Sequence, residues 1–580
     1  MSHEPATTPY KSLYFDYEVF PFKPTAENDA KQHDVIVVGA GPVGLALALD
    51  LARRGVSVVV LEKEAQLCGG SRAVALARRS MEILHTIDMD EKFLEHAITW
   101  SLGWSYYRKT QIYEMRLPAG ENDQFAPMTN LQQNWMERLL VQAAQAHPLI
   151  DLRHHSLVTA IENDADSVTL TVDTPQGEYA LTAPWLVATD GARSTIRRLS
   201  GLRLAGQSHE GRFVIVDLKL DLDEPAGRRC YFDPPWCPGR SVLWHKEPFG
   251  IWRLDYLIPD DVSEEEALDP ANLRRNIEAH LAYIGADVPW EIEWATIYRA
   301  NTLTLESYRH GRTLFCGDAA HLLPIFGVRG LNTGLQDMQN LGWKLASVLK
   351  GLAPDALLDS YSAERVDAAK EICEEAVRSV RFMTPPTRGY RVLRDATLSL
   401  SLTEEFPRGL LHWRTSRPHD YTASTLNLPQ DAGAQPLGCL RPGTLLPNLK
   451  LQGGSREFLH DALGSDFTVL VFSAGAVPDS RLAQQVRAAA HAGLPVRLVL
   501  VTGAADVAGD GQADIVACDN YEQIQQALGI RSDMVYLIRP DQYVSACWAS
   551  ADAASLAPAL DRALGRNIKA TGQAKEGALQ

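Results

Sequence analysis

Val35-Ile-Val-Val38-Gly39-Ala-Gly41-Pro-Val-Gly44 decides the fold of the N-terminal half of the chain. A short apolar run rich in β-branched residues, Asp34–Val38, reads as a strand buried on both faces. The glycines permit a tight turn, after which an apolar helix runs to about Arg54 and stops at Gly55. Val56–Leu61 is a second buried strand and leads directly into Glu62. Strand, glycine turn, helix and strand in that order make a βαβ unit with a parallel sheet. Its chemistry follows from its geometry. Gly39, Gly41 and Gly44 let a pyrophosphate approach the backbone, and the helix N-terminus stabilises the negative charge. Glu62 stands near the ~20-residue spacing of a carboxylate that accepts from ribose hydroxyls. FAD and NAD satisfy this motif equally.

A second stretch separates them. Gly311-Arg-Thr-Leu-Phe-Cys-Gly317-Asp318-Ala-Ala-His321 continues through Pro324, Gly327, Gly330-Leu331-Asn332-Thr-Gly334 and Asp337. A strand end, a carboxylate, a glycine-rich loop and a new helix can hold the far part of one extended dinucleotide. Here the chain resembles the class A flavoprotein aromatic hydroxylases, the group containing para-hydroxybenzoate hydroxylase and phenol 2-monooxygenase. The resemblance implies tightly bound FAD, with Asp318 on its ribityl chain and Gly317, Pro324, Gly330, Leu331 and Asn332 along the loop beside the flavin. Ala188-Thr-Asp190-Gly191-Ala-Arg193-Ser194 is similar to the family's DG motif. There Asp190, Gly191 and Arg193 would serve both FAD and a transient NAD(P)H, although basic residues at a turn also read as surface charge. Ser71-Arg72-Ala73 would bring Arg72 to the pyrophosphate or NAD(P)H, and Gln133, with Glu137 and Leu140, would touch the flavin. Either residue also reads as a solvated helix position.

The resemblance spans roughly residues 33–385. The expected architecture is α/β: a GxGxxG FAD-binding Rossmann-like domain with an interleaved β-sheet substrate lobe, and a C-terminal thioredoxin-like domain. Residues 1–32 read as an arm, 33–385 as the FAD-binding domain with its lobe (sheet about 205–307), and 386–440 as a linker with helices. Residues 441–565 resemble the thioredoxin-like domain attached to phenol 2-monooxygenase, and 566–580 form a polar tail. Period-two patterning suggests mainly antiparallel strands over 152–186, and again at Phe213–Leu222, Ser241–His245 and Ile251–Ile258. A helix is expected over 264–285. Phe472-Ser-Ala-Gly stands where a redox-active thioredoxin has its cysteine pair. Without that pair, thiol–disulfide exchange is unsupported and a structural or homodimer-forming role remains.

A formal charge of −16 argues against a nucleic-acid or anionic-membrane binder. The eight cysteines are scattered with no C-x-x-C pair, which fits free thiols in a reducing compartment and no metal site. No apolar run reaches the ~20 residues of a bilayer span. Nothing reads as a signal peptide, so the expected location is cytoplasmic.

The resemblance implies an enzyme of aromatic compound catabolism, an FAD-dependent monooxygenase. Using NAD(P)H and O2, through a flavin C4a-hydroperoxide, it would place one oxygen atom on a small, already oxygenated ring. Candidates for the substrate wall are Tyr231, Trp244, His245, Arg253 and Asp255 on the sheet, with Ile325 and Phe326 from the flavin side. His245 could relay a proton but reads more readily as an ordinary strand histidine, and Arg253 could bind a substrate carboxylate or simply pair with Asp255. Tyr231 and Trp244 read more readily as packing. Ile325 stands where many relatives have a second proline, and Val328 where they have a glycine, so this pocket differs from theirs. Val74 stands where phenol 2-monooxygenase has a carboxylate. A flavin-dependent halogenase is disfavoured for lack of a W-x-W-x-I-P stretch. An FAD-dependent reductase or dehydrogenase, or a non-catalytic flavin-binding partner, keeps the same cofactor motifs without oxygen transfer.

Overall fold

The computed structural model describes residues 8–24, 33–324, 326–411, 417–429, 439–453, 456–473, 480–504, 513–551 and 553–567. They fall into two compact units. One comprises Met1–Glu121, Phe125–Gln339 and Val366–Pro418, the other Asn122–Gln124, Asn340–Arg365 and His419–Gln580.

The first unit is built on a six-stranded sheet. Its order is Arg309–His310, Thr313–Phe315, Trp185–Ala188, Val35–Val38, Val58–Leu61 and Ile150–Arg153. Every neighbouring pair is parallel except the first. All residues of Trp185–Ala188, Val35–Val38 and Val58–Leu61 are buried, so these strands read as unbroken apolar runs. One expectation changes here. Ile150–Arg153 and Trp185–Ala188, at the ends of the 152–186 region, belong to this parallel sheet. Only Leu157–Asn163, Val168–Thr174 and Gly177–Ala183 between them are antiparallel. Those three place polar residues on a solvated face, whereas Trp185-Leu-Val-Ala188 has none to place.

The substrate lobe is an eight-stranded sheet. Its order is His321–Leu322, Trp290–Thr304, Ala205–Leu220, Ile251–Ile258, Ser241–Glu247, Arg228–Phe232, Leu102–Tyr107 and Thr110–Arg116. The last two strands extend it well beyond the expected 205–307, and Arg228–Phe232 pairs with Leu102–Tyr107 in parallel. Successive side chains alternate between faces. On the outer face, Val216, Tyr231, Trp244 and Leu254 pack with Ile277 and Leu281 of the helix Pro270–Ile284. The expected single helix over 264–285 is two, Glu264–Ala267 and Pro270–Ile284. Asp269 caps the second by accepting from the Ala271 and Asn272 amides, and Pro270 lacks the N–H a continuous helix needs.

The second unit has a five-stranded sheet in the order Asp514–Ala517, Val496–Thr502, Phe467–Ser473, Val535–Ile538 and Val544–Trp548. The first three are parallel and the last two antiparallel. Apolar clusters cover both faces, one with the helices Ser480–His491 and Leu556–Ala563, the other with Tyr521–Leu528. Strands expected at Phe467–Phe472, Val496–Val501 and Met534–Ile538 are present within a residue or two. Ala474 and Gly475 of the cysteine-less stretch lie outside the described residues. A buried ionic cluster lies in this unit. Glu364 accepts from Arg539 (2.7 and 3.0 Å), Lys344 (2.7 Å) and Asn340 (2.7 Å).

Among its described residues, the 386–440 stretch carries one helix, Arg388–Leu400, and a 3-10 turn at Phe406–Leu411. No described helix is long and apolar enough to cross a membrane.

Candidate active site

The strand order sets four motifs side by side. Gly317-Asp318 follows Thr313–Phe315, Asp190 follows Trp185–Ala188, the glycine turn follows Val35–Val38, and Glu62 follows Val58–Leu61. These are the carboxyl ends of neighbouring parallel strands, the edge at which open α/β sheets bind ligands. At ~4.8 Å per strand, the four ends span roughly 15 Å, a length suited to an extended dinucleotide.

The turn residues differ in what they leave open. A Cβ on Gly44 would lie 2.2 Å from the Gly39 carbonyl oxygen and 2.5 Å from Thr189 Oγ1, so this glycine is required for packing. A Cβ on Gly41 would meet nothing within 4 Å, leaving free space at the N-terminus of the helix Pro42–Arg53. Glu62 accepts from the Ala40 amide (2.8 Å) and the Glu64 amide (2.9 Å). Burial raises its pKa, and those two amides oppose the shift. Asp190 accepts from the Ile196 amide (3.0 Å) through one oxygen, while the other, Oδ1, is buried without a hydrogen-bond partner. Burial raises its pKa too.

Asp318 is exposed, and the surrounding protein raises its pKa against the opposing pull of His321, Arg72 and Arg197. The turn beneath it is fixed by Asp337, whose Oδ2 accepts from the Gly317 amide (3.1 Å) and lies 2.6 Å from His321 Nε2. Arg197 crosses from the DG turn, donating to the carbonyls of Ala192 (2.7 Å) and Ala319 (2.9 Å). Gly330 opens the helix Gly330–Leu349 close to the Asp318 carboxylate; a Cβ there would stand 3.9 Å from Oδ1. The Asn332 side chain is fully engaged within the protein. It accepts from the Ala77 amide and Ser80 Oγ, and donates to the carbonyls of Ala75 and Val328. Its backbone amide, with those of Gly330 and Leu331, belongs to the first helical turn, where N–H groups lack helical acceptors. Orphan Asp190 Oδ1, open space at Gly41, the exposed Asp318 carboxylate and these amides fit FAD together.

Gln133 acts locally on the arginine segment. Its Oε1 accepts from the Ala73 amide (3.2 Å), its Nε2 donates to Glu137 (2.9 Å), and its amide donates to Ser71 Oγ (3.0 Å). Arg72 and Arg193 are both exposed, and Arg72 lies near enough to influence Asp318. Pro324 is buried; Ile325 lies outside the described residues.

On the inner face of the lobe sheet, Arg228, His245, Arg253 and Asp217 stand directly opposite one another on four successive strands. Arg253 is held by both oxygens of Asp217 (2.7 and 2.8 Å) and donates to the carbonyls of Ser71 and Arg72. Asp255, two residues on, lies 3.9 Å from His245 Nε2 rather than pairing with Arg253. Burial pushes the Asp255 carboxyl up to about 7, with Arg253 and Arg228 pulling it down. Burial likewise pushes His245 well below its ordinary value, so its imidazole is neutral, and Nδ1 has no hydrogen-bond partner. Trp244 and Tyr231 face the other way. Trp244 stacks on Trp252 at 4.9 Å and Tyr231 on Tyr106 at 4.9 Å. Adjacent residues on one strand cannot share a face, so Trp244 and His245 could not both line the site.

A cavity of about 410 Å³, counting its open mouth, lies between this face and the flavin loop. Met115, Cys230, Leu243, Met383 and Phe326 make it apolar, and Arg228 is its charged residue. Sequence reasoning missed Arg228. The signal was the parity of Arg228-Arg229-Cys230-Tyr231, which resolves only once the strand is paired.

The comparisons agree with this geometry. The model of the FAD binding domain family matches residues 32–376, and that of the HcaD C-terminal domain matches residues 443–563. The 3-(3-hydroxy-phenyl)propionate/3-hydroxycinnamic acid hydroxylase of Mycolicibacterium smegmatis is 28% identical over 539 residues, 92% of each chain. Its namesake from Klebsiella pneumoniae is 27% identical over 528 residues, 89% of this chain and 92% of that one. Among solved structures, aklavinone-11 hydroxylase with FAD and aklavinone is 26% identical, with a TM-score of 0.70 over 92% of this chain and 99% of that one. The flavin-dependent monooxygenase PieE shares the fold at a TM-score of 0.75 and 22% identity, covering 93% of this chain and 100% of that one. With the matched family covering well over half its length and all four motifs at one sheet edge, the chain belongs to the FAD-binding-domain family of class A flavoprotein hydroxylases.

Proposed function

We propose that the chain is an NAD(P)H-dependent aromatic monooxygenase that hydroxylates a single phenolic ring. The observation that carries this reading is the cavity whose walls are the inner face of the lobe sheet and Phe326-Gly327 of the flavin loop. Both a dehydrogenase and this hydroxylase must admit a nicotinamide, but only the hydroxylase also needs an apolar seat that holds a ring beside the flavin and excludes water. Its lining by Met115, Cys230, Leu243, Phe326 and Met383 is apolar, as a seat for an aromatic ring requires.

Gly41, Glu62, Asp190 and Asp318 would hold the dinucleotide, with the amides at Gly330–Asn332 beside its ring. Bound there, FAD supplies the redox chemistry, taking a hydride from NAD(P)H and delivering one atom of O2 to the ring. Exposed Arg72 and Arg193 are the cations offered to a transient NAD(P)H. Leu243, Cys230 and Phe326 orient the ring and keep the seat dry. Burial, with the Arg228 and Arg253 cations, keeps the His245 imidazole neutral and a weak proton acceptor, which suits a structural place on the sheet face. Arg253, engaged by Asp217 and two carbonyls, positions the Arg72 segment rather than binding substrate.

The test follows NAD(P)H consumption and product mass over phenols and hydroxyphenyl acids, under isotopically labelled O2. One labelled oxygen per product supports hydroxylation. Flavin-loaded protein that forms only hydrogen peroxide, or leaves NAD(P)H untouched across the panel, sinks it.

A further inference from the structure

Residues 8–24 of the arm form no helix or strand, yet aromatic side chains anchor them. Phe15, Tyr17 and Phe20 are buried. Phe15 lies edge-on to Trp135 at 5.3 Å and under the Arg138 guanidinium at 3.7 Å, and Phe20 stacks on His154 at 4.1 Å. Between these anchors the arm runs along residues 65–70. The Phe20 amide donates to the Ala65 carbonyl (2.8 Å). Gln66 pairs with the arm twice, accepting from the Tyr10 amide (2.8 Å) and donating to the Thr8 carbonyl (2.9 Å).

The Tyr17 hydroxyl closes a hinge. It donates to the Cys68 carbonyl (3.0 Å) and accepts from the Gly70 amide (3.3 Å) and from Asn134 Nδ2 (3.2 Å). One oxygen thus ties together the two peptide groups that flank Gly69 and anchors both to the helix Gln133–Ala146. Consecutive glycines have the widest backbone freedom, and Gly70 adopts φ 82°. The Trp294 indole covers Gly70 so closely that a Cβ would stand 2.2 Å away. Just past the hinge, Ser71 and Arg72 give their carbonyls to Arg253, and the Ala73 amide donates to Gln133 (3.2 Å). The exposed Arg72 side chain therefore leaves a backbone pinned on both sides, upstream by Tyr17 and downstream by Gln133.

We propose that Tyr17 is a positioning residue for reduction of the flavin: its hydroxyl locks the Gly69-Gly70 hinge and so fixes where Arg72 meets NAD(P)H. This rests on the reading of Arg72 as a cation offered to NAD(P)H. A long cationic side chain on a moving backbone must surrender that motion when it binds a phosphate. On a fixed backbone it surrenders only its rotamers. Without the phenol oxygen, water satisfies the Cys68 carbonyl and the Gly70 amide, so the fold and the flavin persist while the hinge opens. The loss falls on the transient cofactor rather than on FAD or the ring seat.

The experiment uses the flavin-loaded full chain as wild type, Tyr17→Phe, Arg72→Ala and the double variant. Amide hydrogen exchange without NAD(P)H reads the hinge directly. Exchange across residues 66–73 should rise at least ~10-fold in Tyr17→Phe, with the strands Val35–Val38 and Val58–Leu61 unchanged. Anaerobic flavin reduction then separates affinity from rate. Tyr17→Phe should raise the half-saturating NAD(P)H concentration about 10-fold, the equivalent of one lost hydrogen bond, and leave the limiting rate within about twofold. On the Arg72→Ala background the same substitution should add nothing, because the cation it positions is gone. Unchanged hinge exchange, unchanged half-saturation in Tyr17→Phe, or a loss that persists in full without Arg72 overturns the proposal. Should Tyr17→Phe fail to fold, the wild type decides: a Gly70 amide that exchanges as fast as an open loop shows no lock. Failure of the hydroxylase reading would appear separately, as normal flavin reduction with no labelled oxygen in the product.

Discussion

His321 Nε2 lies 2.6 Å from Asp337 Oδ2, and both side chains are wholly buried. The same oxygen accepts from the Gly317 amide, so one carboxylate sets both the backbone before Asp318 and the ring three residues after it. Asp337→Asn keeps an acceptor but removes the charge. It should destabilise the fold by on the order of 3 kcal/mol and leave the purified protein depleted of flavin. A thermal melt with flavin content measured on the same sample checks this; an unchanged Tm with full flavin would refute the role.

Gly41 and Gly44 should separate cofactor binding from folding. Gly44→Ala drives a methyl into the Gly39 carbonyl and should cost on the order of 2–3 kcal/mol, visible in the apoprotein melt. Gly41→Ala meets only empty space in the protein and should leave that melt unchanged. It should nonetheless weaken FAD binding at least ~10-fold, because the methyl occupies the path of the pyrophosphate. Equal FAD affinity in Gly41→Ala and wild type would move the pyrophosphate elsewhere.

Asp255 gives the inner face a pH dependence. Burial pushes its carboxyl up to about 7, above the ~3.9 of an unfolded aspartate, so the folded state binds more protons between those values. Its contribution is complete below ~4 and declines as pH rises through about 7. Asp255→Asn removes that slope. The variant should therefore gain stability relative to wild type between pH 4 and 7, by a few kcal/mol at most. Parallel denaturant curves at several pH values test it, and curves that keep a constant separation count against it.

Glu364 should govern the second unit. Arg539 and Lys344 hold its carboxyl below the usual glutamate range despite burial. Its stabilisation is thus present above the unfolded value of ~4.3 and lost only as pH falls through the lower folded value. Glu364→Gln deprives Lys344 of its ion pair and leaves Arg539 with Asp541 alone, and should cost roughly 3–5 kcal/mol at neutral pH. A urea midpoint equal to that of the wild type would show the cluster to be dispensable.

The cofactor half of the site was legible because its signals are local. A glycine that must be a glycine, such as Gly44, or an acid just past a buried strand, such as Glu62 or Asp318, needs only a dozen neighbours to be read. The substrate half was not, because it is made by pairing. Leu102–Tyr107 joins the lobe sheet from more than a hundred residues upstream of its partner Arg228–Phe232. No local pattern announces that register, or which of Arg228 and Arg229 turns inward. The same ignorance of parity kept Trp244 and Tyr231 among the wall candidates, although packing was the readier reading and each faces the helix Pro270–Ile284. Arg253 was placed on the correct strand face but given the wrong partner, since Asp217 sits on a neighbouring strand and Asp255 on its own.

The order of the strand ends across the sheet differs from their order along the chain, and this bears on biosynthesis. The glycine turn emerges from the ribosome first and Glu62 soon after, yet Asp318 and the helix that begins at Gly330 come nearly three hundred residues later. A nascent chain halted before that point would carry a half-made groove able to grip adenosine but with nothing to hold the ribityl chain. Loading must therefore wait for the last of the four loops. Once loaded, the cofactor links segments that synthesis delivers nearly three hundred residues apart, so a shortage of flavin should surface as degradation of full-length chains rather than as accumulation of an empty enzyme.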